Sequence, residues 1–107
     1  NPDVPILIHC FSGSLETAKV LLKRNTYFSF ALGVQYIVRQ QAVFAELPVE
    51  RIFLETDLGE DFEGDPAGQL EKLYSFVANL KGVSRSTLNN IINCNYNNYL
   101  GESGNYV

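Results

Sequence analysis

Short apolar runs alternate along the chain with stretches in which apolar residues recur at helical spacing, and this order predicts strands followed by helices. The first run, residues 5–11, is largely apolar, as expected of a buried strand. It is broken by Ser12 and Gly13, and helical spacing begins at Leu15 with Ser14 as the N-cap. The first unit is therefore a strand, a turn and a helix.

Two more units repeat this order. Residues 27–32 are aromatic and apolar and end at Gly33, and residues 37–47 have a helical pattern that Pro48 stops. Residues 51–57 begin the third unit, which passes through an acidic loop into another helix. The apolar face of that helix is formed by Leu70, Leu73, Val77 and Leu80.

A final helix follows the third unit. It is separated from the preceding helix by Gly82, begins after Ser84 or Ser86, and closes at Gly101. Three strand-helix units in succession require a parallel sheet with helices on at least one face, so we expect an α/β fold. We interpret residues 1–107 as a single partial domain, with its chemistry at the carboxyl ends of the strands.

The composition is that of an ordinary globular protein. Of the 107 residues, 46% are hydrophobic, enough to bury a core. Eight basic and 12 acidic residues give a formal net charge of -4, so the chain has no overall positive field to hold a nucleic-acid backbone. A bound metal ion can supply positive charge locally, which keeps nucleic acid among the candidate substrates.

Cysteine usage and hydropathy indicate the cellular setting. Cys10 and Cys94 are too few for a disulfide framework, and no apolar run is long enough for a membrane span or a signal peptide. We therefore expect a cytoplasmic protein without a membrane partner. The chain contains no methionine and opens at Asn1 just before an apolar run, so we expect a piece of a longer protein or a processed one.

Polar residues end two of the predicted strands. His9, the only histidine, closes the first, and Asp57 closes the third. If the strands are neighbours in chain order, two gaps of about 4.8 Å separate these residues, and metal bonds of roughly 2.0–2.2 Å fit between their side chains. Ser29, Ala31 and Gly33 of the middle strand are small and leave room for an ion. The pattern predicts a site for metal-activated water.

A structural interpretation of these residues stands beside the metal site. An aspartate at a strand end often caps the following turn, and a lone histidine is more often hydrogen-bonded within the fold than a metal ligand. Catalytic metal sites also take three or more protein ligands, and His9 with Asp57 supplies two. Cys10 is interpreted as a small packed residue, because strand alternation turns its side chain away from that of His9.

Four stretches of the sequence resemble the TatD-like metal-dependent hydrolases, the deoxyribonuclease family within the amidohydrolase-type barrels. They are IHCFSGS at 8–14, YFSFALG at 27–33, RIFLETD at 51–57 and NCNYNNYLG at 93–101, in matching order and separation. The resemblance covers nearly the whole chain, and HCFSG together with LETD is specific. It implies that the three units correspond to the last part of a (β/α)₈ barrel of the TIM type.

The resemblance also implies a metal-dependent chemistry. His9 matches a metal ligand of the family, and Asp57 matches an aspartate that binds metal and activates the attacking water. The implied reaction is hydrolysis of phosphodiester bonds, typically of DNA, with a divalent cation that the sequence does not identify among Mg, Mn and Zn. Residues 58–61 lack the proline that usually follows LETD, and the family's H-x-H pair, glutamate and further histidine have no counterpart in this chain.

Several further residues have two interpretations each. Glu55 lies on the same predicted strand face as Asp57 and either orients a metal ligand or pairs with a basic residue elsewhere in the barrel. Ser12 and Gly13 either hold a substrate phosphate at the helix N-terminus or simply precede the cap of that helix. Asn95 in the last helix is expected to form structural hydrogen bonds.

The expected function of the isolated chain differs from that of a complete barrel. Three parallel strands leave a sheet edge and an apolar face exposed, so we expect the chain to self-associate and to show little or no catalysis alone. Two other functions fit the same residues. One is a non-catalytic remnant or assembly module, and the other is a related hydrolase that acts on esters or amides.

Overall fold

Three parallel strands form one sheet in the computed structural model, which describes residues 4–58 and 61–104. The strands are β1 (Ile6–Ile8), β2 (Thr26–Phe30) and β3 (Ile52–Leu54), and β2 lies between the other two. Both strand pairs are parallel, with Ile8 opposite Phe28 and Phe30 opposite Leu54. The expected α/β arrangement of three strand-helix units is therefore confirmed.

The described part of the chain contains four α-helices. They are α1 (Leu15–Leu21), α2 (Val38–Glu46), α3 (Pro66–Lys81) and α4 (Arg85–Gly104), and short 3₁₀ helices span Leu32–Gln35 and Val49–Arg51. None of the helices in the described part of the chain is both long enough and apolar enough to cross a membrane.

The helix ends follow local capping chemistry. The Ser14 hydroxyl accepts the N–H of Thr17 at 3.1 Å, which confirms the predicted N-cap of α1. Gly82 ends α3 with a φ of 71°, a left-handed conformation that glycine adopts without steric cost. Ser84, rather than Ser86, caps α4, because its hydroxyl accepts the N–H of Thr87 at 3.1 Å. The prediction that α4 closes at Gly101 is wrong, because the helix continues to Gly104.

Aromatic rings form the core on one face of the sheet. Phe28 and Phe30 project from β2 and are fully buried. Phe11 packs edge-on against Phe28 with ring centroids 5.0 Å apart, and Phe44 of α2 packs edge-on against Phe30 at 4.9 Å. Each such pair contributes about 0.5–1.5 kcal/mol beyond the burial of its area. The central strand is therefore held rigidly.

The opposite face of β2 carries Tyr27 and Ser29, because successive side chains alternate along a strand. Tyr27 packs against Phe53 of β3 at 5.6 Å between centroids and against Tyr99 of α4 at 5.4 Å. The last turns of α4 therefore cover the amino-terminal end of this face. Ser29 lies two residues further along the strand, toward the carboxyl edge of the sheet.

Asn95 joins α4 to the start of β3. Its side chain is 2% exposed, and its amide donates to the carbonyl oxygens of Val49 at 2.8 Å and Ile52 at 2.9 Å. The first bond adds to the turn before β3, where the Val49 carbonyl also accepts the N–H of Ile52, and the second reaches the first residue of β3. The structure thus confirms the expectation that Asn95 forms structural hydrogen bonds.

The strands end earlier than the apolar pattern predicts. The sequence extends them to His9, Gly33 and Asp57, whereas regular pairing stops at Ile8, Phe30 and Leu54. Beyond the strands, the backbone N–H of Phe11 still donates to the carbonyl of Ser29, and the N–H of Glu55 donates to the carbonyl of Phe30. Cys10 and Asp57 then adopt left-handed conformations with φ values of 50° and 55°. Strand alternation therefore cannot place the side chain of either residue.

Candidate metal centre

Five polar side chains meet at the carboxyl edge of the sheet. His9 and Cys10 follow β1, Ser29 lies near the end of β2, and Glu55 and Asp57 follow β3. Parallel strands bring their carboxyl ends to one edge, so residues distant in the sequence become neighbours there. This edge is where the sequence predicts the chemistry.

Ser29 links the residues that follow the two outer strands. It is 3% exposed, and its hydroxyl accepts the backbone N–H of Cys10 at 3.0 Å while donating to Oε2 of Glu55. A buried hydroxyl requires such partners, because burying it without them costs free energy. The position predicted only to leave space therefore organises the site. Its sequence signal was a single polar residue between two buried phenylalanines, Phe28 and Phe30.

His9 contacts the same carboxylate oxygen. Its Nδ1 lies 3.1 Å from Oε2 of Glu55, and its side chain is otherwise 69% exposed. Because an ionised carboxylate only accepts hydrogen bonds, Nδ1 must carry the proton in this contact. Nε2 of the neutral ring is then left with its lone pair. A carboxylate behind the ring is a common way to orient a histidine that binds metal through the other nitrogen.

The ionisation of Glu55 follows from these contacts. Burial opposes its charge, but the hydrogen bonds from Ser29 and His9 outweigh burial and lower the pKa of Glu55 below its ordinary value. Glu55 is therefore ionised at neutral pH. Since its pKa is lower in the folded state, these contacts stabilise the fold above the ordinary glutamate pKa, and that stabilisation is lost as the pH falls through the lowered value.

Cys10 pairs with Asp57. The Sγ–H group of Cys10 donates to Oδ2 of Asp57 at 3.5 Å. The expectation that Cys10 is a packed residue facing away is thus wrong, because its left-handed backbone turns Sγ toward the loop that follows β3. Burial, together with the negative charges of Glu55 and Asp57, raises the pKa of Cys10 to about 11. Without a bound cation the thiol therefore remains protonated at neutral pH.

Three of these residues form a cluster whose ligand atoms lie close enough together to hold a metal ion. Ligand atoms of Cys10, Glu55 and Asp57 all lie within 4.8 Å of one another. A thiol and two carboxylates suit a divalent cation, and the exposed side chain of Asp57 leaves the cluster open to solvent. His9 is not a member of this cluster and joins it through Glu55. In the described residues, Glu55 thus lies between His9 and Asp57, and joint binding of a metal ion by His9 and Asp57 stays a prediction.

The loop between β1 and α1 has a structural explanation. A Cβ atom on Gly13 would lie 2.9 Å from the ring of Phe11, so glycine is required for this close packing. The carbonyl of the exposed Ser12 accepts a bond from the Arg39 guanidinium at 3.4 Å. Phosphate binding by Ser12 and Gly13 stays a prediction. Residues 59–60, where the family's usual proline is missing, lie outside the described residues.

A separate concavity of about 250 Å³ lies between α3 and α4. It is lined by Leu70, Glu71, Tyr74, Arg85, Asn89 and Asn93. Arg85 crosses it, bonding Glu71 at 2.8 Å and lying 5.0 Å from the ring centroid of Tyr74. Because the guanidinium charge is already balanced by a carboxylate, we interpret this concavity as a helix-helix contact and place the chemistry at the sheet edge.

The contact between His9 and Glu55 can be tested without metal or substrate. In ¹⁵N NMR of the neutral ring, the single histidine is expected to show a protonated Nδ1 and an unprotonated Nε2. Glu55→Ala removes the acceptor, so the ring should revert to the Nε2–H form that free imidazole side chains prefer. Glu63→Ala, at an exposed acidic position, is the matched control and should leave the spectrum unchanged. A major Nε2–H form in the unmodified chain would contradict the contact.

Comparisons with known proteins identify the family of the chain. The family model of the TatD related DNases matches residues 1–101. A Bacillus subtilis protein, the uncharacterized metal-dependent hydrolase YabD, is 38% identical over 53 residues, which are 48% of this chain and 21% of that protein.

Solved structures show the same fold. A hydrolase TatD family protein from Entamoeba histolytica matches with a TM-score of 0.75 at 17% identity, over 89% of this chain and 42% of that one. YJJV, a TatD homolog from Escherichia coli, matches with a TM-score of 0.74 at 22% identity, over 87% of this chain and 39% of that one. An uncharacterized amidohydrolase from Saccharomyces cerevisiae matches with a TM-score of 0.75 at 18% identity, over 92% of this chain and 41% of that one.

The matches cover most of this chain but less than half of each solved structure. The chain spans about two fifths of the length of each of these solved structures. The match of the family model covers nearly all of its residues, including every strand and the whole cluster at the sheet edge. The chain belongs to the TatD related DNase family.

Proposed function

We propose that this chain supplies part of the metal centre of a hydrolase that cleaves phosphodiester bonds, with DNA as the substrate class. The observation that supports this proposal is the convergence of Cys10, Glu55 and Asp57 at the carboxyl edge of a parallel sheet. His9 is oriented beside them by Glu55. Family membership and the metal-dependent relative from Bacillus subtilis support the same chemistry.

Each side chain has a role that follows from its contacts. A bound divalent cation supplies Lewis acidity, which polarises the phosphoryl oxygen and lowers the pKa of water. His9 offers Nε2 as a ligand because Nδ1 is committed to Glu55. Asp57 is exposed at the edge and can both hold the cation and accept a proton from the attacking water. Ser29 fixes Glu55 and thereby the orientation of His9.

The charge distribution supports a cation-dependent approach of the substrate. The net charge of -4 repels a polyanion, and two of the carboxylates that contribute to it lie in the cluster. A divalent cation offsets the charge of these carboxylates and presents a positive charge directly to a phosphate oxygen. The roles given above provide the cation with two ligands, His9 and Asp57, and catalytic metal sites usually take three or more from the protein. The remaining ligands are therefore expected from sequence that precedes this chain in a longer protein.

A second substrate class is favoured by one of the structural neighbours. The Saccharomyces cerevisiae protein is described as an amidohydrolase, and the same water-activating groups serve carbonyl substrates. Ester or amide hydrolysis is therefore the alternative activity for the same residues.

The proposal is tested on the longer protein obtained by extending the coding sequence upstream of Asn1. We expect this upstream sequence to encode an H-x-H strand, a glutamate and a further histidine at strand ends. The purified protein should cleave DNA and a phosphodiester model compound with Mg²⁺, Mn²⁺ or Zn²⁺, and a chelator should abolish cleavage. Cleavage of esters or amides alone would favour the alternative substrate class.

Two further results would count against the proposed function. An upstream sequence that lacks these ligands would favour a non-catalytic remnant, as would a longer protein without hydrolysis of any tested substrate. The 107-residue chain is the matched control, and we expect it to show no cleavage because its ligand set is incomplete.

A further inference from the structure

We propose that Cys10 binds the cation beside Asp57 as a thiolate and makes this centre prefer thiophilic cations such as Zn²⁺ over Mg²⁺. This inference rests on the proposed function in one respect, namely that a divalent cation occupies the cluster. It adds a donor, Cys10, that the resemblance to the family does not supply, and it selects among the cations that the sequence leaves open.

The distance between the two donors fits a shared cation. Bonds from zinc are about 2.3 Å to a thiolate and about 2.1 Å to a carboxylate oxygen, so tetrahedral geometry separates sulfur from oxygen by roughly 3.6 Å. Sγ of Cys10 lies 3.5 Å from Oδ2 of Asp57. A cation can therefore replace the shared hydrogen without a large movement of either side chain. Glu55 places a third donor within 4.8 Å of both.

The backbone holds Cys10 in place for this role. Its N–H donates to Ser29 at 3.0 Å, and the next residue, Phe11, donates its N–H to the carbonyl of Ser29 at 2.8 Å. Phe11 is itself buried in the aromatic core. Two bonds to the rigid central strand and one buried ring therefore fix the turn that aims Sγ at Asp57. Such preorganisation is what a metal site requires of its ligands.

The donor set predicts the type of cation. Mg²⁺ and Ca²⁺ take oxygen ligands, whereas a thiolate favours softer cations such as Zn²⁺, Co²⁺ and Cd²⁺. When the sulfur-metal bond forms, the S–H proton leaves to solvent and the hydrogen bond to Asp57 is replaced by the shared cation. A divalent cation together with one thiolate and two carboxylates has a net charge of -1. Such a centre can accept an additional neutral ligand such as His9.

A simpler interpretation of the same contact is that Cys10 only donates a hydrogen bond that orients Asp57. The two interpretations differ in one observable, the presence of a bond between sulfur and metal. Cobalt reports this bond directly, because a thiolate bound to Co²⁺ gives an intense near-ultraviolet charge-transfer band that oxygen and nitrogen ligands do not give.

The test titrates the reduced 107-residue chain with Co²⁺. We expect one equivalent to bind with a charge-transfer band, which Zn²⁺ displaces at equal concentration and Mg²⁺ does not displace in thousandfold excess. Cys10→Ser should abolish the band, and circular dichroism should show that the fold is retained. Cys94→Ser is the matched control: it removes the exposed cysteine of α4 and should leave the band unchanged.

A second measurement keeps the test decisive if Cys10→Ser does not fold. X-ray absorption of the zinc-loaded Cys94→Ser variant, which retains Cys10 as its only cysteine, should show one sulfur at about 2.3 Å. Cobalt that binds without the band, a band that survives in Cys10→Ser, or a zinc shell without sulfur would overturn the role of Cys10 while leaving the proposed function intact. Failure of the chain to bind any cobalt would also overturn it, whereas the proposed function is decided by hydrolysis in the longer protein.

Discussion

Replacing Asn95 with aspartate is expected to destabilise the fold by about 3–5 kcal/mol. The substitution preserves shape but removes the amide that donates to Val49 and Ile52, and it brings a carboxylate against two carbonyl oxygens in a buried position. Removing the donor to both carbonyl oxygens and burying an unpaired charge both cost free energy. Urea unfolding followed by circular dichroism measures the loss.

The chain offers a matched control for this substitution. Asn97 lies two residues further along α4 and is exposed, so Asn97→Asp makes the same chemical change without burial. We expect its effect to stay within about 0.5 kcal/mol, as for other surface substitutions. Equal stabilities for the two variants would show that the two bonds of Asn95 do not hold α4 to β3. The substitution also tests the support of the proposed site, because β3 leads directly into Glu55 and Asp57.

Replacing Asp57 with asparagine is expected to lower turnover at least a hundredfold in the longer protein, the range typical for losing a group that transfers a proton. Asparagine keeps the size of the side chain but cannot accept the proton of water and binds a cation more weakly. The variant should still fold, because Asp57 is exposed and asparagine also tolerates its left-handed φ of 55°. Steady-state kinetics with a phosphodiester substrate measures the effect.

The control for this prediction is a nearby acid that lies outside the cluster. Asp61 is exposed and follows the same strand, and Asp61→Asn should leave turnover near that of the unmodified protein. Near-normal turnover of Asp57→Asn, with its fold verified by circular dichroism, would remove Asp57 from the chemistry. A comparable loss in both variants would indicate a general effect of negative charge on the loop rather than a specific role.

The elements of this fold are readable from the sequence because local rules decide them. Apolar runs bounded by turn residues place β1, β2 and β3, and Ser14 and Gly82 mark helix ends by capping chemistry that involves only a few neighbouring residues. The parallel order of the strands then follows from the intervening helices. The edge of the sheet that carries the polar cluster is predicted correctly for the same reason.

The arrangement of side chains at that edge is not readable in the same way. Strand alternation predicts that the side chains of His9 and Asp57 point to the same side of the sheet and that Cys10 points to the opposite side, but it holds only while the backbone stays extended. Cys10 and Asp57 leave the extended conformation, and no pattern of apolar residues signals this. The contacts of Ser29 depend on which residues lie opposite it in space. Long-range pairing therefore decides the ligand geometry.

The left-handed backbone of Cys10 opposes folding stability to chemistry at this position. A left-handed backbone disfavours most side chains by roughly 1–2 kcal/mol, a cost that glycine avoids and that aspartate, as at position 57, tolerates better than most. Selection for stability alone would therefore favour glycine at position 10. A lineage that no longer needed the cluster could gain stability with this single substitution. Cysteine at position 10 thus marks what the chain gives up in stability to keep a thiol beside the carboxylate of Asp57.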